Sequence, residues 1–246
     1  MKITSVNNDL VKETAKLLKG KYRDETGLFL IEGEKGVTEA LDAGLEVKNI
    51  FVLEGINGYP MDKVIETTEA VLSKISDAKS APKVVAVAKQ PDVDISKLNN
   101  AKKVILLENI KDAGNLGTIL RTASAFDYDA IILFGDTVDL YNPKCVRSAV
   151  GNLWKKPVIK IKEFNELEKT FTPFERIATL PKADNVINLR EFSPSEKMLI
   201  MFGSEADGLT DQLKKFATKN LTIEMSSSVE SLNLSVSAAV IMYQLK

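Results

Sequence analysis

The sequence predicts an α/β protein with a small N-terminal α/β domain and a C-terminal domain whose sheet is mostly parallel, with helices on both faces. Short apolar runs alternate with amphipathic stretches, which is typical of parallel strands joined by helices. One polar, aperiodic stretch with a proline, QPDVDISKLNNAKK at 90–103, interrupts this alternation. We therefore predict a first domain over 1–90, a linker over 91–102 and a second domain over 103–246.

Helices and strands of the first domain are predicted from hydrophobic periodicity and from capping residues. An asparagine precedes the first helix, and Gly20 and Gly44 stand where two helices would end. The predicted helices are 9–19, 34–43, 61–68 and 71–78, and the predicted strands are 28–31, 47–53 and 84–88.

The second domain alternates strands with helices throughout. Its strands are short and apolar, as expected for strands that are covered on both faces. The predicted strands are 103–107, 130–134, 158–161, 176–180, 198–202 and 221–223, and the predicted helices are 115–126, 143–150, 163–170, 209–216 and 231–245.

Composition excludes several classes of protein. With 44% hydrophobic and 27% charged residues, the chain is typical of a globular protein rather than a disordered one. Its longest apolar runs have only strand length, and no secretion signal is visible, so we expect a cytoplasmic protein that does not enter a membrane. The single Cys145 excludes an internal disulfide and suits a reducing compartment. One cysteine and no histidine also argue against a bound metal.

Positive charge is concentrated locally, although the formal net charge is only −1. The segment 140–162 contains no acid and carries Lys144, Arg147, Lys155, Lys156, Lys160 and Lys162. Tyr141 and Trp154 in the same segment are suited to stacking on bases if they are exposed. A second stripe, Lys12, Lys16 and Lys19, recurs at helical spacing. Such stripes favour binding to a nucleic-acid backbone, although the N-terminal stripe equally suits a solvated helix face.

Three polar segments each follow a predicted strand and precede a predicted helix: NIKDAGNLGTILRTASAF (109–126), MFGSEADGL (201–209) and IEMSSSVESLNLS (223–235). Loops at the carboxyl ends of parallel strands converge, so these segments predict one site. The side chains they offer are Asn115, Arg121, Ser204, Glu205, Ser231 and Asn233. These side chains suit a substrate that carries hydroxyls and phosphates. Because the segments hold no histidine, metal cluster or thiol, a cofactor must bring the reactive group.

Each segment also has a purely structural interpretation. Gly114 and Gly117 fit either a tight turn or a close approach of the backbone to a ligand. Glu205 could cap a helix, or it could pair with Arg121 or with a hydroxyl of a ligand. Ser231 could be an N-cap or could take part in nucleoside recognition. Arg121 interrupts an apolar stretch and requires an anionic partner.

The order N-x5-R-T-A, F-G-S-E-x-x-G-L and V-E-S-L-N-x-S-V resembles the three motifs of the SpoU (TrmH-type) RNA 2′-O-ribose methyltransferases, of the SPOUT class, over about 105–245. The segment FLIEGEKGVTEAL at 29–41 resembles the small substrate-binding domain of that family. The resemblance implies a trefoil-knot fold, a homodimer, S-adenosylmethionine as methyl donor and RNA as substrate. Ribosomal RNA is preferred over transfer RNA by analogy with the two-domain layout.

The resemblance also assigns residues. It places Asn115, Arg121, Glu205, Ser231 and Asn233 in the active site, and Gly203, Ile223, Met225 and Leu232 at the methyl donor. It gives Asn142, Lys144 and Arg147 as RNA contacts, to which the basic stretch adds Lys155 and Lys156. Glu224 and Ser227 depart from a usual proline and glycine. They are the basis of an alternative hypothesis, a non-catalytic RNA-binding protein that retains the fold.

A mechanism must work without histidine. Orienting a ribose 2′-hydroxyl against the methyl group supplies most of what this transfer requires. The hypothesis is that Arg121 orients the 2′-hydroxyl and the adjoining phosphate and favours the ionised hydroxyl. Glu205 would hold Arg121, while Asn115, Ser231 and Asn233 would shape the pocket.

Overall fold

The computed structural model describes residues 1–181 and 185–246. These residues form two compact units. The first comprises Met1–Asp92 and Asp139–Lys155, and the second comprises Val93–Val138 and Lys156–Lys246. The predicted linear division did not include the segment 139–155 in the first unit, because nothing in the local pattern marks where a later segment packs.

The first unit contains a five-stranded mixed sheet in the order β1-β4-β3-β5-β2. Its strands are β1 (Lys2–Ile3), β2 (Leu28–Glu32), β3 (Val47–Leu53), β4 (Val64–Thr67) and β5 (Val84–Lys89). Its helices are α1 (Asp9–Lys16), α2 (Gly20–Thr26), α3 (Glu34–Asp42), α4 (Glu69–Lys74) and α6 (Pro143–Ala149). Strand β5 is antiparallel to both β2 and β3, whereas β4 is parallel to β1 and β3. A hydrophobic core that includes Val11, Leu30, Phe51 and Leu72 stabilises this unit.

Two predictions for this unit are wrong. The predicted helix 61–68 is strand β4, in which buried and exposed side chains alternate with the period of two that a strand requires. The predicted helix 9–19 ends at Lys16, and Gly20 begins α2 rather than ending α1. The glycine that does end a helix here is Gly27, in the left-handed conformation at φ 64°.

The second unit contains a seven-stranded parallel sheet in the order β10-β12-β9-β11-β6-β7-β8. Its strands are β6 (Lys103–Glu108), β7 (Ala130–Phe134), β8 (Val158–Ile161), β9 (Glu175–Thr179), β10 (Ile187–Asn188), β11 (Met198–Phe202) and β12 (Lys219–Thr222). Its helices are α5 (Ala113–Ala125), α7 (Phe164–Phe171), α8 (Asp211–Phe216) and α9 (Leu234–Gln244). Strands β7 and β11 are buried along their whole length, because helices cover both faces of the sheet.

The predicted linker 91–102 contains a short 3₁₀ turn, Ile95–Leu98. Leu98 and Ala101 are buried in the core of the second unit. The polar stretch is therefore anchored at its end rather than free along its whole length. Within the described ranges no helix has the length and apolar character needed to cross a membrane.

The functional segments start where three strands end. Strand β6 ends at Glu108, β11 at Phe202 and β12 at Thr222, and each is followed by one of the three polar segments. Because all three strands are parallel, the segments emerge at the same edge of the sheet.

Candidate active site

The turn after β11 requires glycine at its first position. A Cβ on Gly203 would lie 1.9 Å from the carbonyl carbon of Gly208 and 2.1 Å from the amide nitrogen of Leu209. The turn is closed by two backbone hydrogen bonds of 3.1 Å between Ser204 and Gly208, and Gly208 has a positive φ of 67°. The backbone thus folds back on itself with no room for a side chain at residue 203.

A buried carboxylate holds the exit of this turn. Glu108 is only 1% exposed. Its Oε2 accepts a 2.8 Å hydrogen bond from the amide of Thr210, and its Oε1 accepts one of 2.7 Å from the Thr210 hydroxyl. Thr210 in turn caps α8. Glu108 was not among the predicted site residues, although an acid at the end of the apolar strand KVILLE was a usable signal.

Hydrogen bonds join residues from all three motifs. Asn115 donates through Nδ2 to Glu205 Oε1 at 2.8 Å, and Asn233 donates through Nδ2 to Asn115 Oδ1 at 3.1 Å. The Oδ1 of Asn233 accepts from the amides of Ser235 and Val236, so Asn233 rather than Ser231 caps α9. Asp112 caps α5 by accepting from the amide of Asn115. Asn115 is therefore the centre of the site, held through its side chain and its backbone.

Arg121 does not have the carboxylate partner that was predicted for it. It lies on the exposed face of α5. Across residues 1–181 and 185–246 no hydrogen bond or ion pair engages its guanidinium, and Glu205 binds Asn115 instead. The proposed Arg121–Glu205 pair is therefore not formed here. The guanidinium is left available to an anionic group outside this chain's described residues.

A cavity of about 790 Å³ lies beside these motifs. All four residues predicted at the methyl donor, Gly203, Ile223, Met225 and Leu232, line it, as do Glu205, Ser231 and Asn233. Further residues that line the cavity were not predicted. Thr179, Leu180 and Pro181 lie at the end of β9, at the same edge of the sheet. Ser237 and Ile241 lie on α9. The position of residues 179–181 directly after a predicted strand was the signal that could have found them.

The cavity suits S-adenosylmethionine. Its volume is within the range of pockets for drug-sized ligands. Leu180, Ile223 and Leu232 provide apolar walls, and the tightly folded turn that begins at Gly203 forms part of the lining. No cluster of three metal-binding side chains occurs in the part of the chain that the structure describes. The cavity thus offers shape, apolar surface and hydrogen-bonding groups.

The two departures from the family pattern do not line this cavity. Glu224 accepts a 3.3 Å hydrogen bond from Asn188 Nδ2 and lies 3.8 Å from Arg190 Nη1. Its carboxylate is therefore engaged by the segment around β10. Ser227 lies in the exposed turn between β12 and α9. Neither residue removes a wall of the cavity.

The predicted RNA-binding residues take part in internal contacts. Asn142 caps α6 by accepting from the amide of Lys144. Ion pairs join Arg147 to Glu32, Lys155 to Glu39 and Lys156 to Asp127, at 2.7, 2.8 and 2.5 Å. Trp154 donates through Nε1 to the carbonyl of Glu39, and Tyr141 packs on Phe29 with ring centroids 4.7 Å apart, where burial raises the pKa of Tyr141 to about 12. RNA contact stays a prediction for these residues, now alongside a structural role.

Comparison with known proteins agrees with this architecture. The family model of the SpoU rRNA Methylase family matches residues 102–243, and that of the MRM3-like substrate binding domain matches residues 8–86. The two matches follow the order of the two predicted domains.

Similar proteins extend over nearly the whole chain. It is 33% identical to the 23S rRNA (guanosine(2553)-2′-O)-methyltransferase RlmP of Bacillus subtilis, covering 99% of this chain and 98% of that protein. It is 24% identical to the 23S rRNA (uridine(2479)-2′-O)-methyltransferase of Streptomyces viridochromogenes, covering 99% and 91%. The AdoMet-bound rRNA methyltransferase of Sinorhizobium meliloti superposes with a TM-score of 0.88 at 26% identity, covering 99% of this chain and 96% of that one. By its motifs, its cavity and these matches, the chain belongs to the SpoU rRNA Methylase family.

Proposed function

We propose that this protein transfers a methyl group from S-adenosylmethionine to a ribose 2′-hydroxyl of ribosomal RNA, within the 23S molecule. The observation that carries the proposal is the arrangement of the three motifs. The Asn115–Glu205–Asn233 chain of hydrogen bonds borders a cavity lined by all four predicted donor-binding residues. Similar proteins named for 23S rRNA, from Bacillus subtilis and Streptomyces viridochromogenes, support the substrate. A cytoplasmic location is part of the proposal.

S-adenosylmethionine supplies an electrophilic methyl group when it is bound. The protein's own task is to place a 2′-hydroxyl and stabilise it as it loses its proton. The guanidinium of Arg121, which no described residue engages, binds the adjoining phosphate and favours the ionised hydroxyl. Asn115 uses only Oε1 of Glu205, which leaves Oε2 to accept a hydrogen bond from a ribose hydroxyl. The Ser231 hydroxyl lines the cavity and adds a second polar contact.

A tritium-transfer assay tests the proposal. Unmodified 23S rRNA, 16S rRNA and tRNA are incubated separately with labelled S-adenosylmethionine. We expect label in 23S rRNA alone, resistant to alkali as a 2′-O-methyl linkage, and the first position to inspect is the one equivalent to guanosine 2553. Label in tRNA alone would move the substrate to that class. Folded protein that binds RNA and methylates none of the three would favour the non-catalytic alternative.

The buried carboxylate of Glu108 gives a prediction for donor binding. Glu108→Ala removes both hydrogen bonds to Thr210 and releases the exit of the 203–209 turn. Bonds to charged groups contribute about 1.5–3 kcal/mol each, so we expect the free energy of unfolding to fall by about 3 kcal/mol. The dissociation constant for S-adenosylmethionine should rise about tenfold, as measured by isothermal titration. Asp211→Ala, an exposed acid in the first turn of α8, is the control; an equal effect there would contradict the role of Glu108.

We propose further that the protein is a homodimer that associates through α9. Val236, Val240 and Tyr243 are 48%, 40% and 57% exposed. Their spacing of four and three residues places them on one face of the helix. Exposed apolar residues that share one face mark an interaction surface.

A charge on this face should dissociate the dimer. Introducing Val240→Glu buries an unpaired carboxylate at the proposed contact, so sedimentation velocity should show a monomer, and methyl transfer should fall with it. Met61→Glu is the matched control, since Met61 is an exposed apolar residue of the first unit, 85% accessible, and lies outside α9. A Val240→Glu protein that sediments like the wild type would refute this interface.

A further inference from the structure

The segment Asp139–Lys155 is assigned differently by sequence and by structure. By sequence it lies inside the stretch 102–243 that matches the SpoU family, whereas by its contacts it belongs to the first unit. The chain leaves the second unit after Val138 and returns to it at Lys156. Four of the five residues predicted to touch RNA lie in this segment, so what holds it in place bears on substrate binding.

Both ends of the segment are anchored by side chains of the first unit. Asp139 accepts a 2.7 Å hydrogen bond from Nε of Arg23, a buried arginine. At the other end, Trp154 donates to the carbonyl of Glu39, and Lys155 pairs with the carboxylate of Glu39 at 2.8 Å. A Cβ on Gly151 would lie 2.7 Å from Cβ of Glu39, so the segment also lies close against α3.

The central anchor is an ion pair with a buried carboxylate. Arg147 on α6 donates through Nη1 to Oε2 of Glu32 at 2.7 Å and through Nη2 to Oδ2 of Asp77 at 3.2 Å. The other oxygen of Glu32 accepts from the amide of Asp77 at 3.0 Å. The Glu32 side chain is only 2% exposed, compared with 30% for Arg147. Glu32 ends β2, the strand on which α6 packs.

This geometry is at odds with a phosphate contact by Arg147. Both of its terminal nitrogens already donate to carboxylates of the first unit. Withdrawing the guanidinium to reach a phosphate would leave the buried carboxylate of Glu32 without its cationic partner, which is strongly unfavourable. Lys144, three residues before Arg147, lies on the same helix, and Asn142 is the N-cap of that helix.

We propose that Arg147 is a positioning residue. Its ion pair with Glu32 fixes the segment 139–155 on the rest of the first unit, and RNA binding depends on that ion pair. Arg147 itself does not bind a phosphate. This inference rests on the proposed RNA methyltransferase function and assigns different roles to the residues of the segment. The segment presents RNA-contacting groups, and the Glu32–Arg147 pair sets where they stand.

A double-mutant cycle tests it in the full-length protein with unmodified 23S rRNA. The variants are Glu32→Gln, Arg147→Gln and the double variant, and the measured quantities are KM for RNA, the salt dependence of RNA binding and the dissociation constant for S-adenosylmethionine. We expect KM for RNA to rise about tenfold in each single variant and no further in the double variant. The salt dependence and the affinity for S-adenosylmethionine should stay at wild-type values.

A direct phosphate contact gives the opposite result. Glu32→Gln would then leave RNA binding unchanged or tighter, whereas Arg147→Gln alone would weaken it and lower the salt slope by about one. That pattern would overturn the inference. Wild-type protein that methylates no RNA would instead defeat the proposed function, so the two failures are distinguishable.

Two further comparisons guard against a folding defect. Lys2→Gln and Glu54→Gln break an exposed pair of the same 2.7 Å length in the same unit and should leave KM unchanged. Asp77→Asn weakens only the exposed arm of Arg147 and should raise KM about twofold to threefold. Equal losses in the Lys2 and Glu54 variants, or none in Asp77→Asn, would count against a specific positioning role.

Discussion

Replacing Arg121 with alanine is expected to lower kcat for methyl transfer about 100- to 1,000-fold, the usual effect of losing one group that stabilises developing negative charge. Arg121 is exposed on α5 and is not among the residues that line the cavity. The dissociation constant for S-adenosylmethionine should therefore remain within about twofold of the wild-type value. Single-turnover kinetics and isothermal titration measure the two quantities separately.

Two companion variants sharpen this test. Thr118→Ala removes an exposed side chain of the same helix and should leave kcat unchanged. Arg121→Lys keeps the positive charge but loses the planar fork that binds a phosphate and a hydroxyl together, so most activity should be lost. Near-full activity of Arg121→Lys with a raised pH optimum would show that the group acts as a base, and the clamp role would be wrong.

Gly203→Ala is expected to have the largest effect on donor binding. The added Cβ would overlap backbone atoms of Gly208 and Leu209, at 1.9 and 2.1 Å, and backbone cannot yield as a flexible side chain does. The turn that lines the cavity must then open. Overpacking of this kind destabilises by about 1–3 kcal/mol, and we expect the affinity for S-adenosylmethionine to fall at least 100-fold. Urea unfolding and isothermal titration would measure the two losses.

Gly20→Ala is the matched control. A Cβ at Gly20 would lie 3.5 Å from the far end of the Arg23 side chain and 4.0 Å from Oδ2 of Asp139, and both are ordinary contacts. This residue begins α2, where alanine is a better helix former than glycine. Stability should be unchanged or slightly higher. If Gly203→Ala behaved in the same way and bound the donor normally, the turn would not have the close approach described above.

The strands of the parallel sheet could be predicted well because each is a short apolar run between turns. Strands β6, β7, β8 and β11 lie within one residue of their predicted bounds. Strand β4 could not be predicted in this way, because its alternating pattern VIET is only four residues long and one of its two partners, β1, is remote in sequence. Strand β10 has only two residues and pairs with β12.

The site was predictable as a set of residues but not as a set of contacts. Motif order brought Asn115, Glu205 and Asn233 together, and the structure joins them. That Glu205 binds Asn115 rather than Arg121 depends on the reach of each side chain from its own turn, which spacing does not specify. The ion pair between Glu32 and Arg147 spans 115 positions in the chain, so no local pattern signals it.

The return of Asp139–Lys155 to the first unit means that the backbone passes between the units three times rather than once. Cleaving the chain within 91–102 would therefore not separate the two fragments. Arg23, Glu32 and Glu39 of the N-terminal fragment would still bind the segment 139–155, which is covalently part of the other fragment. Such nicked protein should copurify as a complex. For the same reason, an N-terminal domain grafted elsewhere without this peptide would lose the oppositely charged partners of two buried side chains, Arg23 and Glu32. Exchange of modules in such a protein is expected to succeed only when the domain and the inserted peptide are transferred together.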